Sequence, residues 1–266
     1  ILYRIENGKI KPSKMLADSI TKMIKGNQEF VMIDDQKVVY ENAIALAKQA
    51  SENNKLVLIV KGGPGTGKSV VAINLLVELT KLGLLTQYVS KNAAPRAVYE
   101  ARLTGSVKAT EIRNMFRGSG AFIDSPANEY DALIVDEAHR LNKFSGLFGN
   151  LGENQIKEII NASKFSVFFL DEDQRVTLKD IGQKEEIIKW SLFSNASITE
   201  LELNSQFRCN GSDGYLAWLD NTLQIRETVN QDLSGVDYDF RVLDNPAELR
   251  DLIFEKNKIN NLSLIH

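Results

Sequence analysis

Five apolar runs of strand length punctuate the chain, at residues 56–60, 87–90, 132–135, 165–170 and 198–203. None sustains an alternation of polar with apolar positions, which is how strands buried on both faces of a sheet read. Between them lie stretches with helical spacing, at residues 69–81 and 154–162, and two more precede the first run, at 12–25 and 36–50. Gly83 stands just past the 69–81 stretch, where a left-handed C-cap is expected. Strands alternating with helices predict an α/β fold, a mainly parallel sheet between helices.

Beyond residue 203 the pattern changes. A polar stretch and a helix-like segment lead to a further strand at 238–243. Asn245 and Pro246 then head a helical run to residue 256, Asn245 as N-cap and Pro246 at the first helical position. One strand and one helix are too little for a domain. The expected organisation is therefore a helical lead over residues 1–29, a complete α/β domain over 30–200, and the incomplete start of a second α/β domain over 201–266. With Ile1 rather than Met at its head, the chain reads as a piece of a longer protein.

Composition narrows the class. The 266 residues are 43% hydrophobic and 25% charged, which excludes a disordered or fibrous chain. The longest apolar run falls far short of the ~20 residues that cross a bilayer, and no apolar leader opens the chain. A soluble, cytoplasmic protein without a membrane partner is expected, and the single cysteine, Cys209, fits a reducing compartment.

The net charge of −3 argues at first against a nucleic-acid partner. Its distribution reverses that argument. Residues 1–30 carry +3, residues 31–80 are neutral, residues 81–120 carry +5 and the remainder −11. A solvated helix face is the plain alternative for the basic stretch.

The chemistry begins directly after the first strand. Gly62-Gly63-Pro64-Gly65-Thr66-Gly67-Lys68-Ser69 is a full G-x-x-x-x-G-K-[ST] match followed by a helix. Glycines let the backbone turn its N–H groups onto phosphate oxygens, and the helix N-terminus adds partial positive charge. Gly63, Pro64, Gly65, Thr66, Gly67, Lys68, Ser69 and Val70 are thus the expected nucleotide-binding residues. Lys68 would reach the β and γ phosphates and the Ser69 hydroxyl would hold Mg²⁺. A plain glycine-rich turn is the rival reading.

Farther on, the run 132–135 ends in Asp136-Glu137-Ala138-His139. A buried strand delivering a carboxylate to its C-terminal end puts charge where open α/β sheets bind ligands. Mg²⁺ keeps most of its waters, so one carboxylate near Ser69 suffices, and Asp136 has that position. Glu137, one step farther out, would activate or orient the water that attacks the γ phosphate. His139 is at least as readily a packing residue as a coupling one.

Residues 62–69, Asp136 to His139, Asp171-Glu172-Asp173-Gln174, and Asn204-Ser205-Gln206-Phe207-Arg208 stand in the order of the motifs of superfamily 1 helicases. The chain most resembles the Schlafen-type DNA/RNA helicase-like domains, over residues 10–266. Asp136-Glu137-Ala138-His139 also resembles the signature of superfamily 2, but a strand followed by Asp-x-x-Gln favours superfamily 1. The resemblance implies a RecA-like P-loop NTPase core, ATP and Mg²⁺ as ligands, and DNA or RNA as partner.

By the same resemblance Gln174 senses the γ phosphate or its water, Arg208 reaches the triphosphate from the second domain as an arginine finger, and Gln36 reads adenine. The bland alternative for Gln174 and Arg208 is a surface residue. Lys91, Asn92 and Arg96 fall where the family touches single strands, and within the +5 stretch. Phe116, next to Arg117, fits burial better than base stacking. Two departures stand out: Leu170 replaces a common Gly, and the motifs stop at Arg208. A fragment missing the later motifs is expected to hydrolyse ATP weakly.

No Asn-Lys-x-Asp guanine-reading segment is present, so ATP is preferred to GTP. Three rivals share the loop: an ATPase switch or signalling module without unwinding activity, a small-molecule phosphotransferase, and a non-catalytic binding module. The phosphotransferase usually lacks a Glu137 and needs an arginine-rich lid, which the sequence does not offer.

Overall fold

A computed structural model describes residues 32, 35–103, 109–146, 149–174, 177, 179–204, 213–225, 227–228, 232 and 241–260. Gln206, Phe207 and Arg208 lie outside them, as does the expected helix at 12–25. The chain divides into two compact units between Gly211 and Ser212.

The first unit is built on six strands: β1 (Leu56–Gly62), β2 (Thr86–Val89), β3 (Phe116–Arg117), β4 (Tyr130–Val135), β5 (Ser163–Leu170) and β6 (Ser197–Leu203). They form one sheet in the order β3-β2-β4-β5-β1-β6, and every pairing is parallel. The expected mainly parallel α/β fold is what the chain adopts. β5 lies between β1 and β4, in register Leu58 with Val167 and Val167 with Ile134. That insertion decides which side chains meet at the C-terminal edge of the sheet.

The strand side chains alternate between two cores. Leu56, Leu58, Val60, Ile134, Phe165, Val167 and Phe169 face the helices α1 (Asp35–Gln49) and α2 (Lys68–Lys81). Val57, Ile59, Leu133, Val135, Phe168 and Leu170 face the other way, onto α5 (Gln155–Ala162) and Ile187 of α6 (Lys184–Phe193). Both faces are apolar, so the central strands read as unbroken hydrophobic runs. β6 is the exception. It is an edge strand whose Ser197, Glu200 and Glu202 are exposed, so the expectation that all five runs are buried on both faces fails there.

Local signals place the helix ends. After α2, Gly83 takes φ +81 and its N–H donates to Thr80 O at 3.0 Å, with Leu84 N on Leu79 O at 3.1 Å. Asn154 caps α5, its side chain accepting from Ile156 N at 2.9 Å and Lys157 N at 3.3 Å. At the far end of α5, Lys55 donates to the carbonyls of Ile160 and Ser163 and to Asn128 Oδ1, and burial draws its pKa down to about 8.

Two further helices of this unit, α3 (Ala93–Leu103) and α4 (Ala109–Met115), connect β2 to β3. α3 escapes the sequence reading because Pro95 stands inside it. Proline is tolerated there because first-turn N–H groups have no intrahelical acceptor.

In the second unit, α7 (Asp213–Thr222) carries a Tyr215–Trp218 ring pair with centroids 5.9 Å apart. α8 (Pro246–Asn260) begins as expected, with Glu248 N donating to Asn245 Oδ1 at 2.9 Å. The expected strand at 238–243 is not found in its described part, Arg241 to Leu243, which is irregular; residues 238–240 lie outside the described set. No helix among the described residues is long and apolar enough to cross a membrane.

Candidate functional site

The C-terminal edge of the sheet gathers the ends of β1, β4, β5 and β2. β1 runs into the loop before α2, where Gly65 and Gly67 take φ +78 and +86, the left-handed region that glycine enters without strain. Gly67 is the residue preceding α2, so the loop backbone opens onto the N-terminal end of that helix. A side chain at Gly67 would collide with the Gln36 amide, and one at Gly62 would meet Thr66 Oγ1 at 2.6 Å.

Gln36 therefore belongs to the loop's support. It is buried, on the first turn of α1, and its Nε2 donates to Thr66 O at 2.9 Å. The sequence reading assigned this amide to adenine; in the structure its Nε2 is engaged with the loop backbone.

Lys68 folds back over the loop. Its Nζ donates to Gly62 O at 2.5 Å and Gly63 O at 2.7 Å, and lies 3.6 Å from Asp171 Oδ2 at the end of β5. Burial holds the Asp171 carboxyl above the usual carboxylate range, with Lys68 pulling it back down. Asp171 Oδ2 accepts no hydrogen bond. The Lys68 ammonium is thus held between the carbonyls of the glycine loop and the buried Asp171 carboxylate. Ser69 is exposed at the start of α2, and Val70 is partly covered.

Asp136, 3% exposed, directly follows β4. Tyr88 of β2, wholly buried, donates its hydroxyl to Asp136 Oδ2 at 2.5 Å, and Glu137 N donates to Asp136 Oδ1 at 3.0 Å. Both carboxylate oxygens are thus fixed by hydrogen bonds. Nothing in the sequence marked Tyr88, because a tyrosine in an apolar strand reads as core. Glu137 takes φ +51, held by Arg140 N on its carbonyl at 2.9 Å, and its Oε2 accepts from Asn92 Nδ2.

His139 is buried, and its Nδ1 accepts from Asp171 N at 3.2 Å, which ties the end of β4 to the end of β5. Burial, then the nearby Lys68 and Arg140, draw its pKa down to about 4, so the ring is neutral at pH 7. Below it Gly182 packs so closely that a Cβ there would overlap the Ala138 carbonyl.

The three residues expected to contact nucleic acid are differently disposed. Lys91 and Asn92 turn inward. Lys91 Nζ donates to Asn142 Oδ1 and Asp180 Oδ1, both at 3.0 Å, because Asp180 is wholly buried and needs counter-charge. Arg140 Nε supplies a second cation at 3.2 Å from Asp180 Oδ2. Arg96 is half-buried, its Nε donating to Asn92 O at 3.3 Å and its guanidinium lying against Gly118. Phe116 is buried, 5.5 Å from the Tyr88 ring centroid, as the sequence favoured.

Gln174 is exposed on the 3-10 turn Glu172–Gln174 that follows β5, its N–H on Asp171 O at 3.2 Å. Arg208 lies outside the described residues. Among those residues no cluster of three or more His, Cys, Asp or Glu side chains is arranged to hold a metal.

Comparison with known proteins adds a family and several relatives. The family model described as Schlafen group 3, DNA/RNA helicase domain matches residues 55–265. The uncharacterized protein YPL245W of Saccharomyces cerevisiae is 22% identical over 232 residues, covering 75% of this chain and 51% of its own length. The chain thus spans about half of the curated relative it matches. Among solved structures, Pif1 helicase from Candida albicans aligns with a TM-score of 0.46 at 13% identity, over 88% of this chain and 56% of that one. AMPPCP-bound DnaA from Aquifex aeolicus aligns with a TM-score of 0.36 at 17% identity, over 87% and 64%.

Proposed function

We propose, for a chain that belongs to the Schlafen group 3 DNA/RNA helicase domain family, that it is the Mg²⁺-dependent ATP-hydrolysing core of a helicase or translocase acting on DNA or RNA. The observation that carries this reading is the convergence of the glycine loop, Lys68, Asp136, Glu137 and Asp171 on one sheet edge. The RecA-like nucleotide domain is assigned to the strands β1 to β6 and their helices, residues 1–29 to a helical lead, and the residues after β6 to the start of a second domain.

The division of labour follows from chemistry. The N–H groups of residues 63–69 and the Lys68 ammonium bind the phosphates, Lys68 exchanging the Gly62 and Gly63 carbonyls for phosphate oxygens. Ser69 and Asp136 are the protein ligands assigned to Mg²⁺, which when bound neutralises developing charge on the phosphates. Glu137 takes a proton from the attacking water onto its carboxylate, and Gln174 orients that water from the turn after β5. Arg208 is assigned the role of stabilising transition-state charge.

His139 stays neutral and holds the two strand ends together, so it adds no charge to a site that already contains Lys68. Release of phosphate from ATP, measured with and without single-stranded oligonucleotide, tests the reading. Turnover that depends on Mg²⁺, disappears with Lys68→Ala and rises with a single strand is expected. Turnover that no DNA or RNA alters would leave an ATPase switch in its place.

A further inference from the structure

One hydrogen bond joins the residue assigned to water activation with the segment expected to touch nucleic acid. Asn92 Nδ2 donates to Glu137 Oε2. The acceptor oxygen taken up by the amide N–H is one to which a water molecule would otherwise donate. The bond also commits the side chain toward β2, away from free rotation.

The residues around Asn92 hold it there. Ser90 N donates to Arg117 O at 3.1 Å, Arg96 Nε donates to Asn92 O at 3.3 Å, and Lys91 is tied to Asn142 and to buried Asp180. Lys91, Arg96 and Arg117 are also part of the +5 stretch, at the ends of β2 and β3 and the start of α3.

We propose that Lys91 and Asn92 form a latch that keeps Glu137 in a resting position, and that a single strand of nucleic acid opens it. The proposal rests on the reading of Glu137 as the water-activating residue. Strand phosphates compete with Asp180 for Lys91, the segment shifts, and the Asn92 amide leaves Glu137 free to accept a proton from water. The fold lowers the cost of opening. Asp180 keeps Arg140 as a partner when Lys91 departs, so no buried carboxylate is left without a cation, and Glu137 is partly exposed and regains water.

The test is ATP turnover by the whole 266-residue chain, with and without oligothymidylate, for the unaltered protein, Asn92→Ala and Asn92→Leu. The leucine keeps approximately the shape and removes the donor without adding charge, so it separates the bond from loop packing. Both variants are expected to raise turnover without strand by about tenfold, the factor equivalent to ~1.4 kcal/mol for a hydrogen bond to a charged group. The ratio of strand-stimulated to unstimulated rate falls toward one. Affinity for a non-hydrolysable ATP analogue stays unchanged.

A chain that turns over no ATP under any condition removes the reading on which the latch rests. A chain that does turn over ATP, but whose Asn92 variants keep the unaltered ratio or lose both rates in parallel, removes the latch alone.

Discussion

The Lys68 ammonium lies 3.6 Å from Asp171 Oδ2, and both groups are largely shielded from solvent. The pair exists because β5 inserts between β1 and β4, bringing the end of one strand against the loop of another. Neither charge would be tolerable there alone. Lys68→Ala is therefore expected to abolish nucleotide binding and also to destabilise the chain by about 3 kcal/mol. With the lysine gone, burial holds Asp171 still higher. Stability of the variant then falls as pH rises through the Asp171 pKa, because the folded chain keeps a proton the unfolded chain has lost. Adding Asp171→Asn restores stability without restoring binding, and urea unfolding of the single and double variants checks both halves.

Gln36 distinguishes two jobs for one amide. As a brace on Thr66 O, its removal loosens the loop for any nucleotide. Gln36→Ala is expected to weaken ATP and GTP analogues by the same factor, on the order of tenfold for a lost buried hydrogen bond. A loss confined to ATP, read by titration of the two analogues, would assign the amide to adenine instead.

Gly182 is predicted to be intolerant of any side chain. A Cβ there overlaps the Ala138 carbonyl, which is backbone and has no rotamer to escape into. Gly182→Ala should lower stability by about 1–3 kcal/mol and disturb the turn that carries Glu137 and His139. Thermal unfolding together with nucleotide titration would show both effects, and an unchanged midpoint would contradict the packing.

His139 gives the fold a pH signature. Its ring has a folded pKa of about 4 against an ordinary value of 6.5. Between those limits the unfolded chain binds a proton that the folded chain refuses. This contribution to stability is full above pH 6.5 and is lost as pH falls toward 4. Urea midpoints for the unaltered chain should drop more steeply across that window than those of His139→Asn, and equal slopes would contradict a neutral, buried ring.

Much of this was legible in the residues. The strands β1, β2, β4 and β5 coincide with apolar runs, since a parallel strand buried on both faces leaves a continuous signal; β6 coincides with the fifth run although it is an edge strand with exposed positions. β3 escaped because two residues, Phe116 and Arg117, carry no pattern. The helical α6 was missed because it buries only Ile187 and Ser191, too little for a periodic stripe. Caps at Gly83 and Asn245 were legible because each is a local bond between a residue and its own helix.

The site divided along the same line. The glycine loop and Asp136-Glu137 are contiguous and declare themselves. Tyr88, Asp180 and Gly182 act across the fold, through contacts that sequence spacing does not encode. Lys91 and Asn92 were expected to contact nucleic acid; that buried Asp180 and the Glu137 carboxylate engage them is a contact across the fold that spacing does not encode.

The central claim is that this sheet edge hydrolyses ATP with Glu137 activating the water. Glu137→Gln keeps the size and hydrogen-bonding reach of the side chain and removes the base. Phosphate release and binding of an ATP analogue, measured together on this variant, test the claim most directly. Binding within about twofold of the unaltered chain and turnover reduced by about two orders of magnitude is the result expected of a lost general base. Full turnover in the variant would contradict the account.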